Sequence, residues 1–165
     1  MSTSTKQQLV AALKDERART TRFLDAYPAS ASELRPHPTS QLAREIVHTL
    51  CAEAMIGTAV LDGSLDMTKL SFPPAPATWD EVIAAFHASY DKLFAVLDAT
   101  PEGDLAQTTT FMTGPKQLGP VPKGDIVRFM LNDHIHHRGQ LSVYLRMSGN
   151  KVPSIYGPSK DEPWR

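Results

Sequence analysis

Apolar residues recur along this chain at three- and four-residue spacing in four separate runs, each bounded by proline, glycine or small polar residues. That period is what an α-helix needs to turn one stripe of side chains toward a core. It predicts a first helix over about Thr5 to Tyr27, burying Leu9, Leu13, Phe23 and Leu24. "YPASASELRPHPTS" ends it, because three prolines cannot continue a helix. A second helix is expected from about Ser40 to Leu61, capped by Thr39 or Ser40 and stopped at "DGS". Its stripe is Val47, Cys51, Ala54, Met55, Thr58 and Leu61. "SFPPAPATWDEV" is linker closing in a capping box, in which Thr78 accepts from the Glu81 amide and the Glu81 carboxylate reaches back. The third helix therefore starts near Trp79, with Val82, Phe86, Tyr90, Leu93, Phe94 and Leu97 inward.

Residues 101–122 form a longer connection, with room for a short extended piece at "TTTFM". The fourth helix is expected over about Gly124 to Ser148, with Gly149 as the left-handed residue just beyond it. The tail "NKVPSIYGPSKDEPWR" carries three prolines and should lie as irregular chain over the bundle. The whole predicts an all-α fold, an antiparallel four-helix bundle in one domain over residues 1–165, with a long crossover before the last helix.

Composition narrows the function classes. At 165 residues, 41% hydrophobic and 21% charged, the chain has the make-up of a soluble globular domain. Its 17 basic and 18 acidic side chains give a net charge of −1, which implies no strong attraction to nucleic acid unless the basic residues gather in a local patch. A lone cysteine, Cys51, rules out an internal disulfide and fits a reducing compartment. No apolar run has the length of a signal peptide or a spanning helix, so a cytoplasmic protein with no membrane partner is expected.

Three of the six histidines fall in "NDHIHHRGQLSVYLR" on the fourth helix. On a helical wheel, Ile126, Met130, Asp133, His137, Gln140 and Tyr144 follow one another at spacings of 4, 3, 4, 3 and 4, the pattern of a buried seam. Asp133 and His137 then face inward one turn apart, with His134 and His136 flanking them. Burying a carboxylate costs several kcal/mol unless it is paired, and a divalent cation would offset both groups at once. A buried Asp–His hydrogen bond that only fixes helix packing is the plainer alternative. A third ligand would come from another helix, and His48 in "REIVHTLCAEA" is the candidate, at the edge of that helix's apolar stripe. His87 and His37 read as an exposed helix residue and a loop residue, and Arg138 and His136 either as groups that orient ligands or close a dimer or as exposed helix residues without a function. Cys51 reads as a small buried thiol rather than a ligand.

"HHRGQLSVYLR", with His48 upstream and "VPSIYGPS" following, resembles the DinB/YfiT-like superfamily of bacterial four-helix-bundle proteins, and "LRPHPTSQLAREIVHT" is similar to that family's approach to its second-helix histidine. The resemblance spans essentially the whole chain. It implies a divalent metal, zinc or nickel first and iron or manganese after them, held by His48, Asp133 and His137. The usual member has histidine where this chain has Asp133, which leaves His134 as a rival ligand at i, i+3 to His137. It also implies a homodimer and, in some members, a low-molecular-weight thiol cofactor. Two readings follow: a metal-dependent thiol transferase or hydrolase acting on a small molecule, or a non-catalytic interaction protein, whether metal-stapled or a metal-free bundle.

Overall fold

A computed structural model describes residues 4–165; residues 1–3, which the sequence assigns to the same domain, lie outside the described residues. Four long helices form: α1 (Thr5–Asp25), α2 (Ala43–Asp62), α3 (Trp79–Ala99) and α4 (Lys123–Met147). Three of the four starts have a local cause. Ser4 accepts from the Gln7 amide while Gln7 takes the Ser4 N–H, and Thr78 and Glu81 repeat that box at α3. The start of α2 moves to Leu42, past Thr39 and Ser40, because the Glu45 carboxylate accepts the Leu42 N–H at 2.8 Å. Gly63 and Gly149 both sit at φ 80°, in the left-handed region that lets a helix end sharply.

The helices do not alternate up and down. Lys6 reaches the carbonyls of Asp98 and Thr100 while Tyr27 stacks on Trp79, so α1 and α3 are antiparallel. Tyr144 donates to the Gln41 carbonyl and Lys123 to that of Leu61, so α2 and α4 are antiparallel as well. Cys51 lies against Val82, and Gly57 against Leu93, which makes α2 and α3 parallel. Residues 63–78 must therefore return along the bundle, and Arg44 at the far end of α2 duly meets the Pro76 carbonyl. A Cβ at Gly57 would come within 3.1 Å of Leu93, so this parallel pair packs as closely as it does because that position has no side chain.

The long connection before α4 contains the extended piece and more: β1 (Thr108–Gly114) and β2 (Gln117–Pro122) pair as an antiparallel hairpin, Phe111 opposite Gly119. Phe111 alone on β1 is buried, and it joins Val60, Ile126 and Met130 in a small cluster that seats the hairpin on α2 and α4. The main core runs through all four helices. Each of its fully buried Leu, Val or Phe side chains contributes about 1.5–3 kcal/mol by leaving water. Met55, expected inside, is 40% exposed instead. It points away from the stripe of Ile46, Leu50, Gly57 and Val60 that actually faces the core.

Candidate metal centre and its buried polar surroundings

Helix α4 is turned by one residue from the seam expected of it. The stripe that runs deepest is Val127, Leu131, His134, Arg138, Leu141 and Leu145, with the same 4, 3, 4, 3, 4 spacing. At both ends either stripe is apolar, so the middle of the helix decides, and there His134 and Arg138 have the better partners. His134 is fully buried, its Nε2 at 2.6 Å from Thr20 Oγ1 and its Nδ1 at 2.6 Å from Tyr90 Oη. Burial pushes its pKa down to about 3, so the ring is neutral. With both nitrogens engaged it has none to give an ion, which removes it as the rival to Asp133.

Arg138, expected on the surface, is 3% exposed. It donates to Glu16 Oε2 at 2.7 Å, to Thr20 Oγ1 at 3.0 Å and to the Tyr156 hydroxyl at 2.5 Å. Tyr156 in turn donates to Glu16 at 2.6 Å, and Arg19 pairs with the other Glu16 oxygen. Burial alone would raise the Glu16 carboxyl, but Tyr156, Arg138 and Arg19 outweigh it and hold the pKa below the usual range. The arginine of "HHRGQ" thus ties α1, α4 and the tail together through one buried charge.

Asp133 and His137 are placed at the edge of α4 that meets α2, half-buried. The residue they meet is Glu53. Its Oε1 lies 2.8 Å from His137 Nδ1, and His137 Nδ1 is 3.7 Å from Asp133 Oδ1. One ligand atom from each of the three falls within 4.8 Å of the others, the arrangement a single cation needs. Glu53 is 3% exposed, and its second oxygen, Oε2, has no hydrogen-bond partner. His134 Nδ1 stands 3.6 Å from it and is committed to Tyr90. Burial lifts the Glu53 carboxyl to about 7 against the pull of His137. The bond to Glu53 in turn raises the His137 imidazole above its ordinary value, against its own burial.

His48 is not in this group. It lies five residues before Glu53, so the two side chains leave α2 in directions about 140° apart. It is half-buried, and burial lowers its pKa. The sequence did carry a signal for Glu53: Ile46, Leu50, Glu53, Gly57 and Val60 follow at spacings of 4, 3, 4 and 3, a seam with one carboxylate at its centre. Cys51 is buried and its thiol pushed up to about 12, as a small core residue would be.

The chain matches the DinB family over residues 1–165. It belongs to the DinB family. Similar solved folds include a DinB-like protein from Bacillus cereus (TM-score 0.70, 19% identity, covering 90% of this chain and 95% of that one). A DinB-like protein from Bacillus subtilis, YjoA, gives 0.67 at 20% identity, covering 90% and 97%. Among curated proteins, the uncharacterized YrdA of Bacillus subtilis is 28% identical over 132 residues, 78% of this chain and 75% of YrdA. The solved structures establish the fold shared by this DinB chain and carry nothing about its site. Among the described residues, no helix is long and apolar enough to cross a membrane.

Proposed function

We propose that this DinB chain binds a divalent cation between α2 and α4 through Glu53, Asp133 and His137, and that the ion serves chemistry on a small molecule. The observation that carries this reading is the Glu53 Oε2 atom, buried and without a partner. Leaving a carboxylate oxygen so placed costs on the order of 1–3 kcal/mol or more, and an ion beside it would remove that cost. Three protein ligands leave coordination positions open, as a reactive rather than a closed site requires. When bound, a divalent ion supplies Lewis acidity, polarising a carbonyl or lowering the pKa of a water.

The residues around it would hold the group in place. The Asp133 carbonyl lies 3.0 Å from His137 Nδ1, and the fully buried His134, fixed by Thr20 and Tyr90, stands with its Nδ1 3.6 Å from Glu53 Oε2. With Glu53 in the role expected of His48, the donor set has two carboxylates and one imidazole. That moves the preferred ion from zinc or nickel toward manganese or iron. The proposal extends to a cytoplasmic homodimer with no nucleic-acid partner, in keeping with the net charge of −1.

Metal content by mass spectrometry and titration calorimetry tests the assignment on wild type, Glu53→Gln, Asp133→Ala, His137→Ala and His48→Ala. Stoichiometric metal is expected in the wild type and in His48→Ala, with loss in Glu53→Gln and His137→Ala. Metal retained by both of the latter variants would refute the site. Loss in His48→Ala with retention in Glu53→Gln would return the second-helix ligand to His48.

A further inference from the structure

Toward the start of α2 and the end of α4 the two helices wall a cleft of about 420 Å³, with Ser40, Gln41 and Ile46 on the α2 side and Gln140, Val143 and Tyr144 on α4. The cleft and the ligand group share one line on each helix. Asp133, His137, Gln140 and Tyr144 follow at spacings of 4, 3 and 4, and Ile46 precedes Glu53 by seven residues, two turns on the same face. Polar contacts run from the cleft to neighbours of the ligand group on both sides. Gln140 Nε2 lies 2.9 Å from His136 Nε2, and that ring packs edge-on against His137 at 5.3 Å. Gln41 Nε2 donates to Thr49 Oγ1 at 3.4 Å, one turn before Glu53, and Tyr144 Oη closes the floor on the Gln41 carbonyl at 3.0 Å.

Nothing that lines the cleft is charged. The polar groups are two carboxamides and three hydroxyls, with Ile46, Val143 and Pro36 between them. The ligand group points the same way. Two carboxylates offset the charge of a divalent ion, so the filled site would present no net positive charge to draw in an anion such as a thiolate. A neutral oxygen donor loses nothing by that cancellation.

We propose that this cleft binds an uncharged carbonyl compound of the amide type, its oxygen directed toward the metal group and its body lying along Gln140, Gln41 and Tyr144. The proposal rests on the metal reading above and names the class of molecule the site accepts. It disfavours the thiol cofactor that the family resemblance implies.

Proton relaxation of a probe, N-acetylglycinamide, with manganese-loaded protein tests it, with 3-mercaptopropionate, an anionic thiol without an amide, as the comparator. Manganese occupancy is read separately by electron paramagnetic resonance. The wild type is expected to relax the amide probe's protons, and Val143→Trp to abolish the effect at unchanged manganese occupancy. Val143 is 54% exposed, so filling the cleft from its rim leaves the core intact. Equal relaxation by wild type and Val143→Trp, or stronger relaxation of 3-mercaptopropionate than of the amide, would overturn the proposal. If the wild type takes up no manganese, the metal reading falls. The cleft is then judged by the Ile46 and Val143 methyl resonances of the metal-free protein, where probe-dependent shifts support amide binding and their absence ends it.

Discussion

Replacing Arg138 by methionine removes the cation from the buried network while keeping most of the apolar stem. Four acceptors lose a donor at once: Glu16 Oε2, the Glu16 carbonyl, Thr20 Oγ1 and the Tyr156 hydroxyl. Breaking a buried ion pair from one side costs about 3–5 kcal/mol, because the remaining charge stays desolvated. Glu16 keeps Arg19 at 2.6 Å and Tyr156 at 2.6 Å, which places the loss at the lower end, about 3 kcal/mol. For a chain of this size that lowers the midpoint of thermal unfolding by about 6–12 °C. Differential scanning calorimetry at neutral pH, on protein freed of metal, reads the shift. The companion measurement is Glu16→Met with Arg138→Met, where no charge is left stranded and much of the loss should be recovered. A midpoint within about 2 °C of wild type for Arg138→Met alone would show that Arg138 does not hold the tail and α1 to α4.

Two further outcomes follow from the polar groups. The folded Glu53 carboxyl sits at about 7 against an ordinary 4.5, so the native state holds its proton more tightly than the unfolded chain. That contribution is complete below about pH 4.5 and is lost as pH rises through about 7, and the raised His137 imidazole acts in the same direction. Chemical denaturation of metal-free protein should therefore show about 3 kcal/mol of stability lost across that window, flattened in Glu53→Gln. A wild-type profile that rises with pH there would contradict the burial of Glu53. Cys51, buried with its thiol near 12, should resist alkylation by iodoacetamide at pH 8 until the chain is unfolded. Rapid labelling of the native protein, followed by mass spectrometry, would contradict it.

Much of the fold was legible because its causes are local. Helix period, the Thr78–Glu81 box and the glycines at 63 and 149 act within one or two turns, and the structure repeats them where the pattern places them. The hairpin was visible only as an extended stretch, since pairing Phe111 with Gly119 depends on a turn in which Lys116, a non-glycine residue, takes φ 58°. The parallel course of α2 and α3 was not legible, because nothing in a linker's composition tells which way it crosses the bundle.

By itself the sequence determined four amphipathic helices, most of their ends, a net charge near zero, and an Asp133–His137 pair one turn apart on α4. Tertiary structure alone decided which of two equally spaced stripes of that helix goes deepest, because the choice rests on Thr20, Tyr90 and Glu16 more than a hundred or some forty residues away. It also decided that Glu53, five residues from His48, is the group that meets the pair. A helical pattern records spacing along one element and leaves free its rotation against its neighbours, and that rotation chooses which side chains meet across the bundle.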